Sequence, residues 1–462
     1  MLRKVLPLAL LLLAVPALAG DVKLSGSIRG RAESWSFFQT PGYDSDYTFF
    51  AALLRVSAAQ QVNPNLDWQL ELASPMLWNL PDDAIAPAPR GQLGFGASYY
   101  AANGDSDTAS IFPKNAFVRF KSGSNMIRAG RFEFSDGTEV TPKNAMLAAV
   151  KSSRVAYRLI GNFAFSHAGR SLDGVHYAYD TPKLNVTALA FRPTVGAFNV
   201  DGLADLEHVT AFYGAATWSR ANADERLFVI AYRDERGLVK TDNRPAAARN
   251  LDREDIDLVT LGGHYLAAFG NADVLAWGAW QTGDWGALDH DATAVALEAG
   301  YHFKGDRKPT VRAGLFRASG DDDASDGEHG TFFQVLPTPR VYARFPFYNA
   351  MNSTDAFVHF SIKPHPKVTL TSEAHLLSLT EQADLWYAGG GAFEKSSFGF
   401  AGRPANNHDD LARVIDLGVD YALNPKTSLT IYGAHANGGA VVDAIFAESG
   451  ASLVYVEVMR RF

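Results

Sequence analysis

Apolar and polar side chains alternate residue by residue along most of the chain, and this two-residue period constrains the fold more than any other feature. In the first such segment Val22, Leu24 and Ile28 alternate with Lys23 and Arg29. Successive side chains of a strand point to opposite faces, so the pattern indicates strands with one apolar and one polar face. We count about eighteen such segments, near residues 22–34, 49–62, 66–73, 115–121, 125–133, 171–179, 184–192, 208–219, 226–234, 255–268, 272–281, 293–303, 310–319, 355–363, 368–379, 411–422, 427–434 and 453–462.

The connectors between these segments alternate in length. The short connectors have turn compositions and cover residues 63–65, 122–124, 180–183, 220–225, 269–271, 304–309, 364–367 and 423–426. The long connectors are rich in Gly, Asp, Asn and Pro and lie near residues 74–114, 134–170, 235–254, 320–354 and 380–410. Short periplasmic turns and long extracellular loops are typical of outer-membrane barrels. A soluble sandwich or propeller would not place all its long loops at one end. The sequence therefore predicts an all-β fold, a closed antiparallel transmembrane β-barrel of about 18 strands.

The N-terminus has the layout of a secretory signal peptide. Arg3 and Lys4 precede an apolar stretch over residues 6–15, and Ala17-Leu18-Ala19 has the small residues of a cleavage site. The apolar stretch is too short to span a bilayer as a helix, although a membrane anchor is the alternative. We expect cleavage after Ala19, which makes residues 1–19 the signal peptide and residues 20–462 a single barrel domain in the outer membrane of a Gram-negative cell.

Composition excludes several classes of function. The chain has no cysteine, so thiolate metal sites and cysteine nucleophiles are excluded. Its formal net charge of −8 argues against a nucleic-acid partner, since phosphate binding needs a basic surface. The twelve histidines form no H-E-x-x-H motif, and Ala324 breaks the calcium-loop spacing of the acidic run from Asp321 to Glu328. We predict no catalytic residue, no metal site and no cofactor.

The last segment has the pattern of a C-terminal barrel strand. Val454, Val456, Val458 and Phe462 share one face, and a terminal aromatic is similar to the assembly signal of outer-membrane proteins. Arg460 occupies a position where such signals usually have an aromatic residue. Its stem can snorkel at the membrane edge, which keeps the cost modest. We therefore predict Phe462 to be the assembly signal.

Four stretches of the chain resemble the alginate export family of outer-membrane barrels. They are Ile127-Arg128-Ala129-Gly130-Arg131-Phe132-Glu133-Phe134, Gly169-Arg170-Ser171-Leu172-Asp173-Gly174-Val175, Ala318-Ser319-Gly320-Asp321-Asp322-Asp323, and Ile362-Lys363-Pro364-His365-Pro366-Lys367-Val368-Thr369-Leu370 with the later Asp384-Leu385-Trp386-Tyr387-Ala388-Gly389-Gly390. His176 departs from the family pattern, which usually has arginine there. The resemblance implies an eighteen-stranded barrel with an electropositive lumen that transports an anionic polyuronate.

A lumen that passes carboxylates needs cationic side chains along its wall, because these lower the electrostatic barrier. The predicted substrate path consists of Arg29, Arg31, Arg55, Arg119 and Lys121 from strand parity, Arg131 from the family motif, and Arg170 and His176 from shared parity. The predicted lumen counter-charges are Glu33, Asp67, Glu71, Glu133 and Asp416. The alternative interpretation is that these charges pair with one another across neighbouring strands.

Three functions remain open at this stage. The first is export of an anionic polysaccharide such as alginate, and the second is a porin that takes up small anions or oligosaccharides. The third is a barrel-embedded lipid hydrolase, which would need a lipid-facing serine, whereas Ser361 and His359 have lumen parity. Expected partners are the anionic solute, outer-membrane lipid and the barrel assembly machinery, with a periplasmic secretion complex as a further candidate. Five aromatic residues could stack on sugars, but we favour a role in the interfacial girdle. They are Trp35, Trp218, Trp277, Trp280 and Tyr301.

Overall fold

The computed structural model describes residues 21–338, 344–389 and 393–462, and the predicted signal peptide lies outside them. Eighteen antiparallel strands form one barrel. They are β1 (Lys23–Ser36), β2 (Asp46–Asn63), β3 (Leu66–Trp78), β4 (Phe112–Ser122), β5 (Asn125–Phe132), β6 (Leu172–Asp180), β7 (Leu184–Pro193), β8 (Val209–Ser219), β9 (Ala223–Asp234), β10 (Ile256–Phe269), β11 (Ala272–Trp285), β12 (Leu288–His302), β13 (Thr310–Ala318), β14 (Ser353–His365), β15 (Val368–Ser378), β16 (Asp410–Asn424), β17 (Thr427–Gly438) and β18 (Gly450–Arg461).

The barrel closes between its first and last strands. Each strand pairs antiparallel with the next along the chain, and β1 also pairs with β18 from Ser27↔Arg461 to Ser36↔Ser452. The backbone of Gly26 exchanges two hydrogen bonds with Phe462, at 3.0 and 3.1 Å, which extends this ladder to the end of the chain. Closure leaves the barrel sheet no free edge, as a lipid-embedded sheet requires.

The structure confirms the predicted strands and most of the predicted alternation of connectors. All eight short connectors are turns at one end of the barrel, and the five predicted long connectors are loops at the other end. The prediction that short and long connectors alternate strictly was wrong at one place. There β11 and β12 are joined at the long-loop end by only Gly286 and Ala287. Gly286 has a φ of 64°, and an added Cβ would lie 2.5 Å from a carboxylate oxygen of Asp252, so this tight turn requires glycine.

The two faces of the barrel differ as the alternation predicted. Large apolar side chains exposed on the outer face include Ile28, Phe50, Val118, Ile127, Val175, Leu227, Leu297, Val358, Ile415, Leu417, Val454, Val456 and Val458. Trp218, Trp280 and Tyr301 are also exposed outside, as girdle residues would be. The girdle prediction was wrong for Trp35 and Trp277, which have the opposite parity and are buried inside the barrel.

The remaining regular structure lies in the connecting loops. The helices are α1 (Phe95–Asn103), α2 (Ala145–Val150), α3 (Ala246–Leu251) and α4 (Ala440–Asp443), and a wider helical turn at Lys151–Val155 continues α2. Short strands occur at Thr108–Ala109 and Glu328–His329, and Leu385–Gly389 pairs with Phe400–Pro404 in a separate hairpin. Within the described ranges, no helix is long and apolar enough to cross a membrane.

Candidate transport path

The long connector between β5 and β6 folds into the barrel, and we call residues 133–171 the inward segment. Where the two halves of the segment meet near the barrel wall, the backbone N–H of Asp136 donates to the carbonyl of Ile160. The Asp136 carboxylate accepts from the N–H of Leu159 and Ile160. At its tip, the side chain of Asn144 lies 3.3 Å from that of Asn222, which is in a turn at the opposite end of the barrel. The inward segment therefore runs the length of the lumen.

Ion pairs attach the inward segment to one side of the barrel wall. Lys151 lies 2.7 Å from Asp224 on β9. Arg154 and Arg158 both bind Glu298 on β12, at 3.0 and 3.1 Å, and each of these three side chains is almost completely buried. Taking such charges out of water is costly, but their mutual attraction is strong in the same low-dielectric surroundings. Glu298 is consequently the main carboxylate anchor of the segment.

The opposite side of the wall holds the inward segment through Arg29. Its guanidinium donates to the carbonyls of Ala164, at 2.6 Å, and Ser166. Arg29 is on β1, whereas Asp224 is on β9, so these attachments lie eight strands apart in a ring of eighteen. The inward segment thus bridges nearly opposite walls and obstructs the lumen, and Arg29 serves as one of its anchors.

Other predicted lumen cations lie inside the barrel but are bound to carboxylates. Arg31 forms a pair with Glu33 at 3.1 Å and another with Glu457 at 2.6 Å, across the joint between β1 and β18. Its guanidinium also lies 5.0 Å from the ring centre of Tyr455. Arg31 therefore takes part in barrel closure in this conformation.

A second group joins one predicted cation with two predicted counter-charges. Arg55 on β2 binds Glu71 on β3 and Glu133 at the start of the inward segment. Arg119 binds Asp67 at 3.0 Å on neighbouring strands. For both arginines the geometry shows cross-strand pairing, which is the alternative interpretation of these charges.

The predicted position of Arg131 in the lumen was wrong. Arg131 has the parity of Ile127, which faces outward, and it binds Asp173 at 2.6 Å. Asp173 in turn has the parity of the exposed Val175. Arg131 also donates to the carbonyl of Gly202, at 3.3 Å, in the loop between β7 and β8. The pair lies on the outer face near the long-loop end, where it ties this loop to the barrel.

His176 faces the lumen as predicted, and it identifies an arginine that the sequence analysis did not select. Arg128 lies 3.0 Å from Nδ1 of His176, and its guanidinium packs over the rings of Phe117 and Phe132. Arg128 binds no carboxylate in the described part of the chain. Parity from Ile127 alone would have placed Arg128 inside and Arg131 outside, so the signal was present in the sequence.

The other predicted residues are dispersed. Lys121 has lumen parity but is exposed near the short-turn end, whereas Arg170 is buried before β6 and donates to the carbonyl of Pro337 at 3.2 Å. Asp416 faces the lumen and accepts from the hydroxyl of Tyr432 at 2.8 Å. Phe462 is exposed on the outer face, and its role as an assembly signal stays a prediction.

Aromatic side chains from several loops cover the long-loop end of the lumen. We call Phe37, Phe38, Phe347, Trp386 and Phe446 the aromatic cap, because their ring centres form a connected cluster at separations of 5.1 to 6.3 Å. Such separations are those of favourable edge-to-face contacts. The cap is therefore an apolar closure at the end opposite the tip of the inward segment.

A cleft of about 290 Å³ opens beside the aromatic cap. Its walls come from the end of β1 and from five loops, and they include Trp35, Phe95, Phe198, Phe347, Phe400, Glu394 and Arg403. Gly94 lets these elements approach closely. It has a φ of 99°, and an added Cβ would lie 2.7 Å from the Trp35 ring.

The charged groups of the cleft are strongly affected by burial. The Arg403 guanidinium lies 4.5 Å from the ring centre of Trp386, and burial lowers its pKa to about 9, so it stays charged at neutral pH. Burial raises the pKa of Glu394 to about 7, while a hydrogen bond from Asn199 lowers it. Outside the cleft lining, burial also raises the pKa of Asp384, whose Oδ1 accepts from Tyr387, to about 7. Neutral and ionised forms of both acids are therefore present near pH 7.

Comparisons with known proteins agree with this architecture. The sequence profile described as alginate export matches residues 54–455. None of the curated proteins compared with the chain matches it. Similar solved structures include OccAB1 of Acinetobacter baumannii, with 11% identity, a TM-score of 0.57 and coverage of 96% of this chain and 99% of that one. The outer membrane protein opdK of Pseudomonas aeruginosa has 10% identity, a TM-score of 0.55 and coverage of 95% and 99%.

Proposed function

The chain belongs to the alginate export family, and from this premise we propose that it is a gated outer-membrane channel for anionic solutes. Its family and its fold are those of transport channels. In the proposed orientation, the short turns face the periplasm and the long loops face the outside. The proposed partners are the transported anion, outer-membrane lipid and the barrel assembly machinery, with a periplasmic secretion complex as a further candidate.

One observation carries the choice of anions. Arg128 and Arg403, near opposite ends of the barrel, bind no carboxylate among the described residues, whereas Arg31, Arg55 and Arg119 do. A paired arginine has little field left to attract a solute, but an arginine without a carboxylate partner keeps its positive field. Lys121, on the strand next to Arg128, adds to the positive charge near the short-turn end. An anion therefore meets favourable charge at both entrances.

The obstruction of the lumen bears on the size of the cargo. With the inward segment attached to both walls, a polymer would pass only after the segment had moved. A small anion needs less displacement, so the geometry favours a channel for small anionic solutes over polysaccharide export. The direction of transport is left open in this proposal, because a passive channel follows the solute gradient.

Planar-bilayer recordings under a KCl gradient test the proposal. We expect the wild-type channel to prefer chloride over potassium and Arg128→Gln to reduce this preference by several-fold, since lumen charges sit in the focused field. The matched control is Arg192→Gln, because Arg192 is exposed on the outer parity of β7. It should leave the reversal potential unchanged.

A cation preference in the wild type, or equal effects of the two variants, would contradict the proposed anion path. Liposome-swelling rates with uronate monomers, short oligomers and long oligomers measure the cargo size in parallel. Rates that fall steeply beyond a few sugar units support the small-solute form. Equal passage of long oligomers would favour polysaccharide export instead.

A further inference from the structure

The cleft beside the aromatic cap contains two buried polar atoms without partners. Nη1 of Arg403 and Oε1 of Glu394 are both inaccessible to solvent and make no hydrogen bond with any described residue. An unsatisfied buried polar group costs about 1–3 kcal/mol, so two in one cleft call for an explanation. Both side chains line this cleft, one with a hydrogen-bond donor and the other with an acceptor.

The other atoms of Arg403 are fixed in place. Its Nε and Nη2 donate to the carbonyl of Arg90, at 3.2 and 2.6 Å, and its guanidinium lies over the ring of Trp386. The side chain is 97% buried, with a relative exposure of 3%. Arg403 is thus held rigidly while one of its NH₂ groups remains available, as a prearranged carboxylate site requires.

The acceptor is fixed in a similar way. Oε2 of Glu394 accepts a hydrogen bond from Asn199 at 3.2 Å, and the Glu394 carbonyl accepts one from Arg236. This leaves Oε1 to accept from a ligand hydroxyl. Trp35, Phe95 and Phe400 line the same cleft and can pack against the face of a ring.

We propose that this cleft is a binding site for a single-ring solute that carries both a carboxylate and a hydroxyl group. Nη1 of Arg403 would bind the carboxylate, Oε1 of Glu394 would accept from the hydroxyl, and the aromatic walls would contact the ring. The volume of about 290 Å³ is at the lower end for ligand pockets, which suits one ring better than a chain of sugars. Sugar acids and hydroxylated aromatic acids share this chemistry.

The proposal deepens the proposed function, on which it rests, by specifying the class of anion captured at the long-loop end. Binding is measured separately from transport, by titration calorimetry on the full-length barrel in detergent. The probes are galacturonate and 4-hydroxybenzoate, with galactose as the neutral sugar. We expect at least one of the two acids to bind, and galactose to bind at least tenfold more weakly than galacturonate if the sugar acid is the ligand.

Two variants test the site itself. Arg403→Gln should weaken binding of the acid at least tenfold, whereas Arg192→Gln, which removes an exposed arginine elsewhere, should not change it. Because Arg403 also packs in the aromatic cap, its loss could impair folding. Ala401→Trp therefore provides an independent test, since Ala401 is exposed at the cleft and a larger side chain would fill it. Ala401→Trp should also abolish binding.

The pH dependence adds a readout specific to Glu394. A ligand carboxylate stays ionised above pH 5, while Glu394, with a pKa of about 7, ionises as the pH rises from 6 to 8. Its negative charge should then repel the ligand and weaken binding several-fold. The positive charges of Arg170, Arg236 and Arg403 nearby stay constant over this pH range. Glu394→Gln should remove this change with pH.

The outcomes separate the inference from the proposed function. No binding of either acid, equal binding by galactose, or binding that survives Ala401→Trp would overturn the cleft as a solute site. Such results combined with an anion-selective channel would leave the proposed function standing. Binding in the cleft combined with a cation-selective channel would overturn the proposed function but support the site.

Discussion

The inward segment and the aromatic cap both occupy the space enclosed by the barrel, but different forces hold them. Buried ion pairs to Asp224 and Glu298 attach the segment, whereas the cap is a cluster of aromatic rings. Ion pairs can exchange partners with a charged solute, because the solute supplies the same charge that the wall supplies. Aromatic contacts have no such substitute. The comparison indicates that the segment is the movable obstruction and the cap is the fixed support of the cleft.

Among the changes that test this comparison, loss of the charge on Glu298 should have the largest effect on stability and conductance. Glu298→Gln leaves Arg154, Arg158 and Arg312 without their shared carboxylate. Breaking a buried pair costs about 3–5 kcal/mol, which we expect to appear as lower stability to urea and as a several-fold rise in single-channel conductance. Glu328→Gln, in an exposed loop, is the control. Unchanged conductance in folded Glu298→Gln would show that the segment does not gate the lumen.

Truncation of a cap residue should destabilise the protein without opening the lumen. Trp386 is almost fully buried and contacts Phe38, Phe347 and Phe446. Trp386→Ala should cost about 3–5 kcal/mol of unfolding free energy, measured by urea titration in lipid vesicles, while conductance stays near the wild-type value. A large rise in conductance would remove the distinction between a movable segment and a fixed cap.

The smallest expected effect concerns the pH dependence of stability at Asp384, a buried carboxyl two residues before the cap residue Trp386. Burial raises the pKa of Asp384 to about 7, so the folded protein holds a proton there that the unfolded chain releases near pH 4. This contribution to stability is fully present below pH 4 and is lost as the pH rises through 7. Asp384→Asn should flatten the decline in urea midpoint between pH 5 and pH 8. An identical decline in both proteins would contradict the assignment to Asp384.

The fold could be predicted from sequence because lipid and lumen impose opposite demands on successive residues. Ile28 and Val118 face outward and Arg29 and Arg119 face inward, as their alternation indicates. The error at Arg131 came from relying on a family motif over strand parity, since parity with Ile127 assigns it to the outer face.

The path of the inward segment could not be predicted in the same way. A loop has no periodicity that reports which wall it contacts, and the partners of Arg154 and Arg158 lie more than a hundred residues away in the sequence. The cleft is still harder to foresee, since Trp35 lies on β1 whereas Phe198 and Arg403 come from two separate loops. Only the assembled tertiary structure brings these side chains together.

The pairing of β1 with β18 has a consequence for the folding order of the chain. Arg31 and Glu457, which bind each other across this joint, are separated by 426 residues, so it is among the most non-local contacts in the protein. Contacts of such sequence separation form slowly because the entropy of loop closure must be overcome first. The last ladder cannot form until the C-terminal strand has been delivered, and until then both terminal strands expose unpaired backbone. The barrel therefore closes only when its two ends meet.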